Sequence, residues 1–157
     1  MKTLIIFATK HGCTDKCTHK LKDRLTGEIE VLNMNNSDAI HLEKYDMIII
    51  GGSIHAGRIQ KSIKMFCLNH LDELKKKKTG LFICCMEEGE KAIKQLNEAF
   101  PEELVKHASA VGVFGGEFNF QKMNFIEKFI VKKIAKVSTS VSKISEENIA
   151  KFVEQIS

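Results

Sequence analysis

Residues 7–14 of this 157-residue chain read Phe-Ala-Thr-Lys-His-Gly-Cys-Thr, directly after the apolar run Leu4-Ile5-Ile6. Thr9, Lys10, His11, Gly12, Cys13 and Thr14 thus pack two hydroxyls, two potential cations and a glycine into six positions. That is the chemistry of an anion cradle. Hydroxyls donate hydrogen bonds, lysine brings charge, and glycine lets the backbone curl around oxygen atoms. A helix starting at Cys13 would add unpaired N–H groups and the positive end of its dipole, which suits a phosphate. Neither G-x-x-x-x-G-K-[ST] nor G-x-G-x-x-G occurs, so the two commonest nucleotide loops are excluded.

Two further polar or glycine-bearing stretches follow apolar runs. Gly51-Gly52-Ser53-Ile54-His55-Ala56-Gly57 succeeds Met47-Ile48-Ile49-Ile50, and Cys85-Met86-Glu87-Glu88-Gly89 succeeds Gly80-Leu81-Phe82-Ile83-Cys84. No carboxylate pair and no Ser/His/Asp set stands out, so no catalytic residue is assigned. Glu87, Glu88 and Glu117 are expected near the site, where they could accept protons or bind an amine, though as surface residues they need no such role. The histidines His11 and His19 flank Cys13 and Cys17, but C-x₂-C spacing is lacking and the two cysteines share one helical face. They are expected to be buried structural thiols, with no metal site.

The elements that must position these residues can be read from hydrophobic pattern. Thr3–Ala8, Met47–Gly51 and Gly80–Cys85 are short and continuously apolar, as strands of a parallel sheet covered on both faces must be. Glu28–Leu32 reads as an edge strand, and 108–114 as a fifth. Helical spacing is seen over Cys13–Leu25, Gln60–Leu74, Gly89–Phe100 and 124–137. A last helix has Ser145 as N-cap, Glu146 and Glu147 in its first turn, and Ile144 set to pack on Ile149. Strand and helix alternate, which predicts one α/β domain over 1–157: a doubly wound sandwich with a five-stranded parallel sheet in the order 2-1-3-4-5. In that order strands one and three flank the switch point, where ligands sit at the carboxyl ends of strands. All three stretches described above fall on that edge.

A T-x-x-G-x-T loop after the first strand resembles the phosphate loop of flavodoxins, which bind flavin mononucleotide (FMN). The second and third stretches then stand where flavodoxins wrap the flavin ring. The resemblance implies FMN bound by Thr9, Lys10, His11, Gly12, Cys13, Thr14, Ser53, Ile54, His55, Ala56, Gly57, Cys85, Met86, Glu87 and Gly89. Two stretches are similar to a narrower family, the flavodoxin-type, menaquinone-dependent protoporphyrinogen IX dehydrogenases: G-G-S-I-H-A-G at 51–57, and residues 115–134, where an aromatic-rich turn leads into a basic helix after strand five. This resemblance implies oxidation of a porphyrinogen in haem biosynthesis, with electrons passing through FMN to a quinone. The family's long basic insertion after strand four is absent here, where Met86–Phe100 is compact. The alternatives are a non-catalytic flavodoxin that carries electrons to a redox protein, and a module that binds FMN for structure or regulation.

A net charge of +4 is too mild to imply nucleic acid. It does suit a flavoprotein in which a cation, with His55 as the candidate, stabilises the reduced flavin. On the helix expected at 124–137, Phe125, Ile126, Phe129, Ile130 and Ile134 oppose Lys128, Lys132, Lys133 and Lys136. The apolar side is expected to face the core, with peripheral membrane contact as the second reading. Five cysteines, an odd number including an adjacent pair, and an N-terminus that enters a strand at once give a cytoplasmic expectation, peripheral at the inner membrane face if the helix binds lipid.

Overall fold

The computed structural model describes residues 1–36, 39–134 and 140–157. Its elements run β1 (Lys2–Phe7), α1 (Cys13–Lys22), β2 (Glu28–Asn33), β3 (Met47–Ser53), α2 (Lys61–Asn69), α3 (Leu71–Leu74), β4 (Lys78–Cys84), α4 (Gly89–Ala99), α5 (Glu102–His107), β5 (Ala110–Val113), β6 (Glu117–Phe118), α6 (Phe125–Ile134), β7 (Val141–Ser142) and α7 (Glu146–Ile156). The five main strands are parallel and ordered β2-β1-β3-β4-β5, as the alternation predicts.

Alternate residues of the central strands feed two apolar layers. Leu4, Ile6, Ile48, Ile50, Leu81 and Ile83 pack against Ile63, Phe66, Ala92 and Leu96 of α2 and α4. Ile5, Met47, Ile49 and Phe82 face Cys17 and Leu21 of α1 and Ile149, Phe152 and Ile156 of α7. All seven residues of β3 are buried, which is why its sequence shows no polar alternation. Phe82 stacks on Phe114 with centroids 4.5 Å apart, and its ring lies over Gly51, where an added Cβ would come within 2.0 Å of it. Backbone and ring therefore meet at the middle of the sheet, immediately below the strand ends.

Three parts of the architecture differ from expectation. The helix over Gln60–Leu74 is broken at His70, whose φ of −113° and ψ of 18° divide α2 from α3. The helix α5 forms after Pro101, which stands at its N-cap with its carbonyl accepting from the Leu104 and Val105 N–H groups, and Glu102 and Glu103 occupy its first turn. After β5 the chain makes an excursion in which β6 pairs antiparallel with β7 around α6. The expected helix after strand five is there, capped by Asn124, whose Oδ1 accepts from the Glu127 N–H at 2.8 Å. Its apolar stripe, however, does not face the core: Phe125 is 84%, Ile126 68% and Phe129 58% exposed. The core-facing place is already filled by α7, so α6 has no apolar layer left to join. Lys136 and Val137, assigned to this helix from sequence, lie outside the described residues, as does the Ile134 side chain. Of α7, the Ser145 cap and the common layer of Ile144 and Ile149 hold as read.

Candidate functional site

The loop between β1 and α1 is shaped by Gly12, which takes a left-handed φ of 91° as N-cap. Its N–H donates to Thr9 Oγ1 at 2.9 Å, so the hydroxyl that faces the loop is fixed by the turn itself. A side chain at position 12 would be strained there and would meet Lys122 Nζ at 2.8 Å from the new Cβ. Cys13, Thr14 and Asp15 form the first turn of α1, whose N–H groups have no intrahelical acceptor. Thr14 is fully buried, and its hydroxyl has no hydrogen-bond partner. Thr18, one turn further on, shares that property, so it is position in the first turn that marks Thr14 out.

Two other strand ends complete one side of a cavity of about 330 Å³. From β3 come Ser53 and the tight turn His55–Arg58, closed by two backbone hydrogen bonds with Ala56 and Gly57 at φ 50° and 77°. Ser53 is locked: its N–H donates to Gln60 Oε1 at 3.1 Å, and its Oγ accepts from Gln60 Nε2 at 2.6 Å. His55 Nε2 lies 3.0 Å from the same Oγ. From β4 come Cys84, Cys85 and Met86. Cys85 is anchored by its N–H to Gly115 O at 2.9 Å.

The opposite side is supplied by the excursion after β5: Gly116, Glu117, Phe118, Met123, Glu127, Ile130 and Val131. Glu127 reaches across, with Oε2 2.7 Å from His11 Nε2 and 3.1 Å from Lys10 Nζ. Burial would raise its carboxyl, but the hydrogen bonds from His11 and Lys10 outweigh that and hold it below the usual carboxylate range. Glu117 accepts from Lys16 Nζ at 2.7 Å.

Of the residues singled out from sequence, Thr9, Lys10, His11, Cys13, Ser53, Ile54, His55, Ala56, Cys85 and Met86 border this cavity. Gly12 and Thr14 shape the loop behind it. Gly57 sits at the tip of its turn with no atom near a would-be Cβ, and Glu87 and Gly89 line a separate hollow beside α4. These three do not border the cavity. His55 is not the expected cation. Burial first, then the charges of His11 and Lys10, push its imidazole below the ordinary histidine range, so it is neutral at neutral pH. Burial also pushes the Cys85 thiol up to about 11, which leaves it a poor nucleophile. Glu117, which the sequence places near the site, does border the cavity, and the residues missed were the rest of the excursion. Only its aromatic and basic composition hinted at a role, and nothing in it revealed that Glu127 would turn inward.

No helix among the described residues is long and apolar enough to cross a membrane. The family described as flavodoxin domain matches residues 4–145. Among solved structures, the chain is similar to oxidised flavodoxin 1 from Bacillus cereus, with a TM-score of 0.55 and 20% identity over 99% of this chain and 95% of that one. It is likewise similar to a Streptococcus pneumoniae TIGR4 flavodoxin, with a TM-score of 0.57 and 14% identity over 99% and 97%. A short-chain flavodoxin associated with a bacterial microcompartment gives 0.57 and 13% over 99% and 96%. At such identities the likeness is one of fold. No curated protein matches.

Proposed function

The chain belongs to the flavodoxin domain family, and from that premise we propose that its cavity holds FMN and that the protein is a flavin-dependent electron-transfer protein. One observation carries this reading: a left-handed glycine, the Thr9 hydroxyl, and the open first turn of a helix with the orphaned Thr14 hydroxyl converge at the switch point of the sheet. The donor set fits a phosphate monoester, and the loop already draws an anion, since Lys10 and His11 grip the Glu127 carboxylate. Lys122, close over Gly12, adds a second lysine. FMN, when bound, supplies hydride and single-electron chemistry.

The chain's own residues bind, orient and exclude water. Thr9 and the N–H groups of residues 13–15 hold the phosphate, with the unpartnered Thr14 hydroxyl behind them, while Lys10 and Lys122 offset its charge. Ser53, Ile54, His55, Cys85 and Met86 flank the ring. Ser53 cannot swing, because Gln60 holds both its N–H and its Oγ. Phe118, Met123, Ile130 and Val131 close the far side with apolar surface.

The finer reading is a dehydrogenase resembling the flavodoxin-type protoporphyrinogen IX enzymes, with a porphyrinogen as substrate and a quinone as acceptor. Its support is the excursion of residues 116–134, which brings apolar side chains to the cavity and leaves Phe125, Ile126 and Phe129 facing out, on the same helix as Lys128, Lys132 and Lys133. Such a helix suits a cytoplasmic protein that visits the inner membrane face, where quinones reside. The second reading is an electron carrier to a redox protein, favoured by the compact connection Met86–Phe100. Anaerobic reconstitution with FMN, followed by protoporphyrinogen and a menaquinone analogue, separates them. Porphyrin fluorescence rising above the enzyme-free control supports the dehydrogenase. A flavin that is reduced and reoxidised by redox proteins alone supports the carrier.

A further inference from the structure

Beneath the phosphate loop, the sulfur atoms of Cys13, Cys17 and Cys84 all lie within 4.8 Å of one another. Cys13 opens α1 and Cys17 follows one turn later on the same face; Cys84 ends β4, against which that face packs. All three are free thiols, 7%, 0% and 2% exposed. The sequence offers the first two as a helical pair. Only the fold adds the third, because β4 must cross under the start of α1.

We propose that these three thiols form a binding site for a trivalent, thiophilic metalloid of the arsenite class. Charge decides among soft ligands. Zinc favours four ligands, and among the described residues no fourth cysteine, histidine or carboxylate joins the cluster. A monovalent or divalent ion held by three thiolates leaves a net negative charge in an apolar layer that includes Phe82 and Phe114, where unpaired charge is costly. The α1 lysines Lys16 and Lys20 are already engaged by Glu117 and Glu146. A trivalent centre leaves the complex neutral. Soft thiolate donors match it, and its trigonal geometry needs three ligands only. The reaction is a ligand exchange. Three S–H and three As–OH bonds break, three As–S bonds form, and three waters leave, with no electron transferred. Access is through the cavity, which Cys13 and Cys84 both border. The bound centre would tie the first residue of α1 to the last of β4.

This inference does not depend on the flavin reading, and its test uses flavin-free protein. Native mass spectrometry with arsenite, in a phosphine reductant, should give one arsenic per chain with the loss of three protons. Cys17→Ala and Cys84→Ala should each weaken binding at least tenfold. Cys13→Ser, at the cavity edge where folding is least disturbed, should do the same. Cys67→Ala, which removes a buried thiol remote from the cluster, should bind like wild type. The proposal is overturned if wild type takes up no arsenic, if Cys13→Ser binds as tightly as wild type, or if Cys67→Ala alone abolishes binding.

Discussion

One wall of the cavity is carried by residues 9–14, 53–56 and 84–86, which hang from strand ends buried on both faces. The opposite wall, residues 116–131, hangs from the two-residue strands β6 and β7 and from a helix whose aromatic side chains point outward. The first wall is as rigid as the sheet. The second is held across the gap by ion pairs of Glu127 with Lys10 and of Glu117 with Lys16, and by a hydrogen bond between Glu127 and His11. Lys10 and Lys16 are about half exposed, and ion pairs made by solvent-exposed lysines are worth little each. A binding site can therefore take its anchoring from one side and its selectivity from the other, and substitutions on the two sides should behave differently.

The largest effect is expected under the first wall. Phe82 is fully buried, stacks on Phe114 and covers Gly51. Phe82→Ala should lower unfolding free energy by about 3–5 kcal/mol, read by urea denaturation, and should loosen both strand ends that contact the ligand. Next comes the cradle. Thr14→Val removes a buried hydroxyl without a partner, so the ligand-free protein should gain about 1 kcal/mol, while FMN affinity falls about tenfold or more. Thr18→Val should give the first effect without the second. If both variants leave affinity unchanged, the Thr14 hydroxyl has no part in the site.

Smaller changes are expected across the gap. Glu127→Gln frees Lys10 and His11 from a competing carboxylate, so FMN should bind roughly twofold to fivefold tighter. A loss of affinity would instead make Glu127 part of the grip. The same variant has a pH signature. The carboxyl of Glu127 is held below its unfolded value, so its contribution is complete above the ordinary carboxylate range and fades as pH falls through the depressed folded value. Thermal melts of Glu127→Gln should be flatter with pH in that acid window. The smallest effect belongs to the outer face of α6. Phe125→Ser with Phe129→Ser should shift stability by no more than about 0.5 kcal/mol, because neither side chain is buried. A large loss would mean that this face is covered in solution.

The same contrast explains what could be read in the sequence. The runs 47–51 and 80–85 were legible as strands because parallel strands covered on both faces carry unbroken apolar runs. The loop at 9–14 was legible because its residue types state their chemistry locally. The second wall was not. Nothing local tells Glu127 to face Lys10, since that pairing depends on where the 116–131 excursion crosses the sheet edge. The apolar stripe of α6 looked like core because such stripes usually are, yet α7 had taken the place. Likewise Cys84 could not be joined to Cys13 and Cys17 before the order β2-β1-β3-β4-β5 was fixed. His55 needed its surroundings too. An exposed histidine would titrate with water, but burial beside His11 and Lys10 keeps this one neutral.

The central claim is that the β1–α1 loop grips a phosphate, and it is tested most directly by titrating the flavin-free protein with FMN and with riboflavin, which differ by that group alone. Saturable quenching of FMN fluorescence at one site per chain, with riboflavin bound at least tenfold more weakly, is the predicted result. Equal affinity for the two flavins, or no saturable binding of FMN, would contradict it.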